Sequence, residues 1–115
     1  KIEFKTIDSE FIDEKHYPEL LRNTLECLQA AVETKKTTYI KIVVSSKTKT
    51  DSFKDLLDKI FEIISKKNIS GFIIQPTTSI SEPTLEQLLE FYDVVYPYYN
   101  EVRVVPQLHK IISAP

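Results

Sequence analysis

Glycine and cysteine are almost absent from this chain of 115 residues, which has one of each, Gly71 and Cys27. The P-loop and the GxGxxG turn need several glycines where the backbone approaches phosphate, so both motifs are excluded. A single cysteine excludes a disulfide within the chain, a cysteine-rich zinc site and an iron–sulfur cluster held by this chain alone. We expect Cys27 to be a half-buried apolar residue of a helix.

A basic surface and a long apolar run are also missing. The 15 basic and 17 acidic residues give a net charge of −2, so nucleic acid is not an expected partner, because binding to phosphates needs a basic surface. No apolar stretch approaches the roughly 18 residues of a membrane span, and no membrane partner is expected. Hydrophobic residues make up 42% and charged residues 28%, which is typical of one globular domain over residues 1–115, and we expect a cytoplasmic location.

Apolar periodicity predicts four strands and three helices in alternation. The strands are predicted at 1–7, 38–45, 71–75 and 101–105, and the helices at 17–34, 51–67 and 82–96. Each helix has apolar residues spaced three or four apart, which places them on one face. We expect Thr50 or Asp51 and Ser81 or Glu82 to cap the second and third helices, and the lysines at 66–67 to favour the second helix's C-terminal end. The Ser/Thr/Lys run 45–50 is expected to be a solvated loop.

The predicted fold is an α/β parallel βαβαβαβ arrangement. The strand starts lie 30–37 residues apart, which fits a strand, a crossover helix and a parallel strand. Alternation gives every strand one apolar face and one face with charged or amide groups, namely Glu3, Lys5, Lys41, Gln75 and Arg103. Doubly wound sheets are apolar on both faces, so we expect strand order 1-2-3-4 with helices on one face only. The polar face either meets a ligand cavity or is open to water, with Glu3 and Lys5 paired to neighbours.

The chain ends in VRVVPQLHKIISAP, in which Gln107 and His109 come directly after the fourth strand. Parallel α/β sheets bind ligands at the carboxyl ends of their strands, so Gln107 and His109 are candidate ligand contacts. His109 has a polar ring that can hydrogen-bond a substrate or move a proton. The alternative is a surface histidine beside a loop proline.

Several segments resemble one enzyme family. The tail VRVVPQLHKI is similar to the carboxyl end of the radical S-adenosylmethionine enzyme 7-carboxy-7-deazaguanine synthase, and IEFKT resembles that family's Asp-hydrophobic-Lys strand, with Glu3 in place of the aspartate. YIKIVVS and FIIQPTT resemble the two strands that follow. The resemblance spans all 115 residues but only the second half of such an enzyme. Because an apolar strand pattern begins directly after Lys1, we also expect a piece of a longer protein, with tag removal or a disordered start as alternatives.

The resemblance implies the carboxyl-terminal half of a partial (β/α)6 TIM-like barrel. It implies S-adenosylmethionine binding by Lys5, Lys41 and Gln75, and substrate binding by Gln107, His109 and, if it is the native end, the carboxylate of Pro115. The family's three-cysteine motif and its glycine pair are missing, so the ligands of the [4Fe–4S] cluster would lie outside this chain. No residue is assigned a catalytic role, and we expect the chain alone to be inactive.

For the intact parent, the resemblance implies a radical reaction. Reductive cleavage of S-adenosylmethionine starts the conversion of 6-carboxy-5,6,7,8-tetrahydropterin to 7-carboxy-7-deazaguanine, on the way to queuosine or archaeosine. The resemblance also implies Mg²⁺, for which no ligand set is visible, and we expect a homodimer. Two alternatives stay open: another radical S-adenosylmethionine enzyme, such as a glycyl-radical activase, and a noncatalytic α/β interaction domain.

Overall fold

A computed structural model describes residues 1–8, 14–77 and 82–104. Within these ranges, strands and helices alternate along the chain as the sequence predicts. The elements are β1 (Ile2–Lys5), α1 (Tyr17–Glu33), β2 (Tyr39–Val44), α2 (Thr50–Ile63), a 3-10 turn (Lys66–Asn68), β3 (Gly71–Pro76), α3 (Leu85–Val95) and β4 (Val102–Val104).

The four strands form one parallel sheet in the order β1-β2-β3-β4. Ile2 pairs with Ile40, Ile40 with Phe72, and Phe72 with Val102. Each strand is thus joined to the next one in sequence by a single crossover through a helix. The predicted strand order and direction are confirmed.

The core lies between one face of the sheet and a single layer of helices. The sheet contributes the buried residues Phe4, Ile40, Ile42, Val44, Phe72, Ile74 and Val102. All three helices add residues to the same cluster, including Leu28 of α1, Leu57 of α2 and Phe91 of α3. The ring centroids of Phe53 and Phe91 are 4.8 Å apart, and this contact joins α2 to α3. No helix in the described part of the chain combines the length and apolarity needed to cross a membrane.

The end of α2 differs from the prediction. The helix stops at Ile63, because Ile64 is extended, with φ −133° and ψ 161°. The Asn68 side chain then accepts a 2.8 Å hydrogen bond from the Ser65 backbone N–H and closes a separate 3-10 turn. The lysines of that turn therefore lie beyond α2 and do not complement its C-terminal end.

The starts of α2 and α3 also differ from the predicted caps. Lys49 precedes the first helical residue of α2 and has no capping side chain. The cap of α3 is Thr84, whose hydroxyl accepts a hydrogen bond from the Gln87 N–H while the Gln87 side chain accepts one from the Thr84 N–H. Ser81 lies outside the described residues. Cys27 is exposed on α1 rather than half-buried.

Replacing Thr84 by alanine should destabilise the protein by about 0.5–2 kcal/mol, the usual cost of losing a capping hydroxyl. The loss arises because one N–H of the first turn of α3 gives up its acceptor and the reciprocal pair with Gln87 is broken. Urea denaturation measures the change, with Thr37→Ala as the control at an exposed loop threonine. Equal effects of the two substitutions would show that the cap contributes nothing.

Candidate functional site

The sheet face opposite the helices carries the polar side chains, and we call it the open face. Alternation along the strands brings together there the residues Glu3, Lys5, Tyr39, Lys41, Val43, Gly71, Ile73, Gln75 and Arg103. Glu3, Tyr39 and Arg103 are exposed and the others half-buried, in contrast to the buried residues beneath the helices. The three residues that the family resemblance assigns to the cofactor, Lys5, Lys41 and Gln75, therefore share this face.

One row of the open face contains an ion pair. Glu3 lies beside Lys41 in the β1–β2 register, and the Lys41 Nζ is 3.2 Å from the Glu3 Oε1. The Lys41 side chain is only 14% exposed, whereas that of Glu3 is 44% exposed. A charge so far removed from water needs a partner, and the Glu3 carboxylate is that partner. For Glu3, this agrees with the alternative in which polar residues of the open face pair with their neighbours. Arg103 completes the row beyond Ile73.

The next row toward the carboxyl ends holds Lys5, Val43 and Gln75 in register. Neighbouring strands are about 4.8 Å apart, so Lys5 and Gln75 begin about 10 Å from one another across Val43. Lys41 precedes Val43 by two residues on the same face. The ammonium groups of Lys5 and Lys41 and the amide of Gln75 therefore come from positions next to Val43. This combination of polar and apolar groups suits a ligand that has both apolar parts and anionic or hydroxyl groups.

Buried hydroxyl residues mark the carboxyl edge of the sheet. Thr6 follows β1, Ser45 follows β2 and Thr77 follows β3, and all three are buried. Thr48 is also buried, and its hydroxyl accepts a 2.9 Å hydrogen bond from the Ser45 N–H. The expectation of a solvated loop at 45–50 is therefore wrong at these two residues. The sequence signal for this edge was a serine or threonine directly after each of three strands.

The loops at this edge are braced against one another. Asp8 accepts hydrogen bonds from the Thr6 hydroxyl at 2.5 Å and from the Lys49 N–H at 2.9 Å. The Gln87 side-chain amide donates a 2.9 Å hydrogen bond to the Ser46 carbonyl. The loop after β1 is thereby tied to the start of α2, and the loop after β2 to α3. The Lys49–Asp8 and Gln87–Ser46 bonds each join residues 41 positions apart, and nothing in the sequence pattern predicted them.

Tyr17 supports the same edge from beneath. Its side chain is buried, and its hydroxyl donates a 2.9 Å hydrogen bond to the Lys5 carbonyl, which holds the end of β1 on α1. Burial, and after it the negative charges of Asp55 and Asp8, raises the pKa of Tyr17 to about 12. Tyr17 is thus a neutral hydrogen-bond donor that positions the Lys5 backbone.

The Tyr17 contribution to stability should disappear at high pH. Below pH 10, the ordinary tyrosine pKa, the phenol is protonated in both states and its full contribution is present. As the pH rises from about 10 to about 12, the unfolded chain releases this proton while the folded chain retains it, and the unfolding free energy falls. Tyr17→Phe should cost about 1 kcal/mol at neutral pH, and its difference from wild type should shrink above pH 10. Urea denaturation against pH tests this, and parallel curves would contradict it.

The helix side of the molecule has a groove of its own. A groove of about 380 Å³ lies between α1 and α2, with Leu21, Leu25 and Ile63 among its walls, on the helix side of the sheet. It is separate from the open face and includes none of the predicted site residues. Gln107, His109 and Pro115 lie outside the described residues.

At the amino end of the open face, the Tyr39 ring lies over Gly71, the residue beside it in the register. A Cβ atom at position 71 would be 2.6 Å from the Tyr39 Cδ1. The ring thus occupies the space that a side chain at 71 would need, which explains glycine inside a strand.

The residues suit S-adenosylmethionine but not a metal ion or an iron–sulfur cluster. Within the described ranges, no three His, Cys, Asp or Glu side chains are grouped to hold a metal ion, and one cysteine in the whole chain does not hold a [4Fe–4S] cluster. The amine and amide groups of the open face do suit the carboxylate and hydroxyls of S-adenosylmethionine.

Comparison with known proteins adds no relative, since no family model, curated protein or solved structure matches the chain.

Proposed function

We propose that the chain is the carboxyl-terminal half of a radical S-adenosylmethionine enzyme of the 7-carboxy-7-deazaguanine synthase type. The observation that carries the proposal is the placement of Lys5, Lys41 and Gln75 on one open sheet face, opposite a single helix layer. These are the residues that the family resemblance assigns to the cofactor. The open face would form part of the inner wall of the complete barrel.

The strand order supports a barrel rather than a doubly wound sheet. Strands that follow one another as β1-β2-β3-β4 with all crossovers on one side curve toward closure, and the uncovered face becomes the interior. A doubly wound sheet reverses its strand order at a switch point and has helices on both faces. The uncovered polar face of these four strands would form part of the inner wall of such a barrel.

In this proposal the described residues bind and orient the cofactor. When bound, S-adenosylmethionine would supply the radical chemistry of the intact enzyme, and the cysteines for an iron–sulfur cluster would have to come from another segment. The Lys5 and Gln75 side chains, in register on either side of Val43, would hold polar groups of the cofactor. Glu3 keeps the Lys41 ammonium group in place through their ion pair. The hydrogen-bonded loops at the carboxyl edge keep these strand ends at fixed spacing.

The test begins with the full-length gene, in which a three-cysteine motif upstream of Lys1 is expected. The intact protein, reconstituted with iron and sulfide under anaerobic conditions, should convert 6-carboxy-5,6,7,8-tetrahydropterin to 7-carboxy-7-deazaguanine, detected by mass spectrometry. A parent without cysteine ligands would favour the noncatalytic interaction domain. Formation of 5′-deoxyadenosine without the deazaguanine product would favour another radical enzyme, such as a glycyl-radical activase.

The tail provides a separate prediction about substrate recognition. Proline restricts its own φ, as at Pro106, and residues two apart, such as Gln107 and His109, point the same way wherever a chain is extended. A site that hydrogen-bonds a pterin ring loses up to about 10⁴-fold in kcat/KM when the matching groups are missing. His109→Ala, and separately an extension after Pro115, should therefore lower kcat/KM for the pterin in the intact enzyme. Wild-type values in both variants would show that the tail only covers the end of the barrel.

A further inference from the structure

Helix α3 and its C-cap residue carry an apolar row that is largely exposed, which we call the α3 stripe. It consists of Leu85, Leu89, Tyr92 and Tyr96, spaced four, three and four residues apart, so the side chains follow one another along a single face. Leu85, Leu89 and Tyr96 are 72%, 55% and 52% exposed, and the rings of Tyr92 and Tyr96 lie 6.0 Å apart. The helix buries Phe91 and Val95 in the core. Tyr92 of the stripe packs against that core, whereas Leu85, Leu89 and Tyr96 are not part of it.

A row of acidic residues runs beside the stripe. Glu86, Glu90 and Asp93 each follow a stripe residue by one position, which places them along one flank of it. All three are exposed. The surrounding segment 82–102 contains five acidic residues and no lysine, arginine or histidine; the acids are Glu82, Glu86, Glu90, Asp93 and Glu101. The segment thus concentrates negative charge in a chain whose net charge is only −2.

We propose that the α3 stripe docks a partner protein through an amphipathic helix with apolar anchors beside a row of lysine or arginine. Apolar side chains spaced three and four apart are the usual means by which one helix grips another, and opposite charges beside them set orientation and partner choice. The proposal is independent of the proposed function, because it concerns the helix layer and not the open face.

Two other occupants fit the charge pattern less well. Two copies joined stripe to stripe would bring acidic rows together, which costs affinity. The other long helices of this chain do not supply a basic row, since α1 has one arginine against three glutamates and α2 has two lysines against four acidic residues. Cytoplasmic membrane surfaces carry negative charge and would repel the acidic flank.

The probes are two synthetic helical peptides of about 15 residues, or four turns, with the same leucine row. One carries lysine beside each leucine and the other carries glutamate. Fluorescence anisotropy with the full-length protein should give at least about tenfold tighter binding of the lysine peptide, and rising salt should reduce this preference because it screens exposed charges. Equal affinity for the two peptides, or no binding of either, would overturn the proposal.

Variants identify the surface that binds. Leu89→Asp should weaken binding of the lysine peptide at least about tenfold, whereas Leu20→Asp, at a similarly exposed leucine of α1, should not. Charge reversal by Glu86→Lys with Asp93→Lys should transfer the preference to the glutamate peptide. Equal losses in the two leucine variants would overturn the assignment to α3. A dimer in sedimentation equilibrium that Leu89→Asp dissociates would assign the stripe to a second copy, and binding to phosphatidylserine vesicles that the same variant abolishes would assign it to a membrane.

Discussion

Leu57→Ala is expected to lower the unfolding free energy by about 2–5 kcal/mol, the range found when a buried leucine is truncated. Leu57 is fully buried on α2 in the cluster that joins the helix layer to the sheet. Its removal leaves a cavity that rigid neighbours such as Phe53 do not fill. Because domains of this size are stable by only about 5–15 kcal/mol, the variant should lose a sizeable fraction of its stability.

The same chemical change at a surface site provides the matched control. Leu85→Ala on α3 removes the same atoms from a side chain that is largely exposed, and its effect should stay within about 0.5 kcal/mol. Urea denaturation monitored by circular dichroism measures both. Similar midpoints for the two variants would mean that the helix layer does not form the core described above.

Lys5→Ala in the intact enzyme is expected to weaken S-adenosylmethionine binding by about tenfold or more. The physical reason is the loss of a charged hydrogen-bonding group worth about 1.5–3 kcal/mol from the row that also holds Gln75. The protein fold should lose less than about 1 kcal/mol, because Lys5 ends an edge strand whose core contact is made by Phe4. Isothermal titration calorimetry measures the dissociation constant directly, without relying on turnover.

Lys67→Ala is the control for this experiment, since Lys67 is an exposed lysine in the 3-10 turn before β3. It changes the net charge by the same amount but does not lie on the open face. Its dissociation constant should equal that of the wild type. An unchanged constant in Lys5→Ala would remove Lys5 from the cofactor site, and a similar loss in both variants would point to a general effect of charge.

Periodicity was enough to predict the elements and the sheet. The alternation of Ile40 and Ile42 with Lys41 identified both the strand and its two faces, and the polar residues of all four strands indicated a sheet covered on one side. Parallel direction followed from strand starts 30–37 residues apart, which leave room for a crossover helix, and the sequential order followed from the polar face of every strand. These properties depend on local pattern and chain length, which a single sequence contains.

Helix ends and long-range hydrogen bonds were not predictable in the same way. The third helix was predicted to begin at residue 82, but the reciprocal bonds between Thr84 and Gln87 cap a helix that begins at Leu85. The bond from the Lys49 N–H to Asp8 joins residues 41 positions apart, and only the folded sheet brings them together. The sequence did not show which neighbour Glu3 pairs with, because that depends on the β1–β2 register, which places it beside Lys41.

The contact between Gly71 and Tyr39 has an evolutionary consequence. Any side chain larger than hydrogen at position 71 would displace the Tyr39 ring, so the two positions act as one unit whose substitutions are not additive. Lineages that replace this glycine should carry a small residue at position 39, and lineages that retain an aromatic ring at 39 should retain the glycine. Covariation of these two positions would thus record the parallel register of β2 and β3 in sequence form.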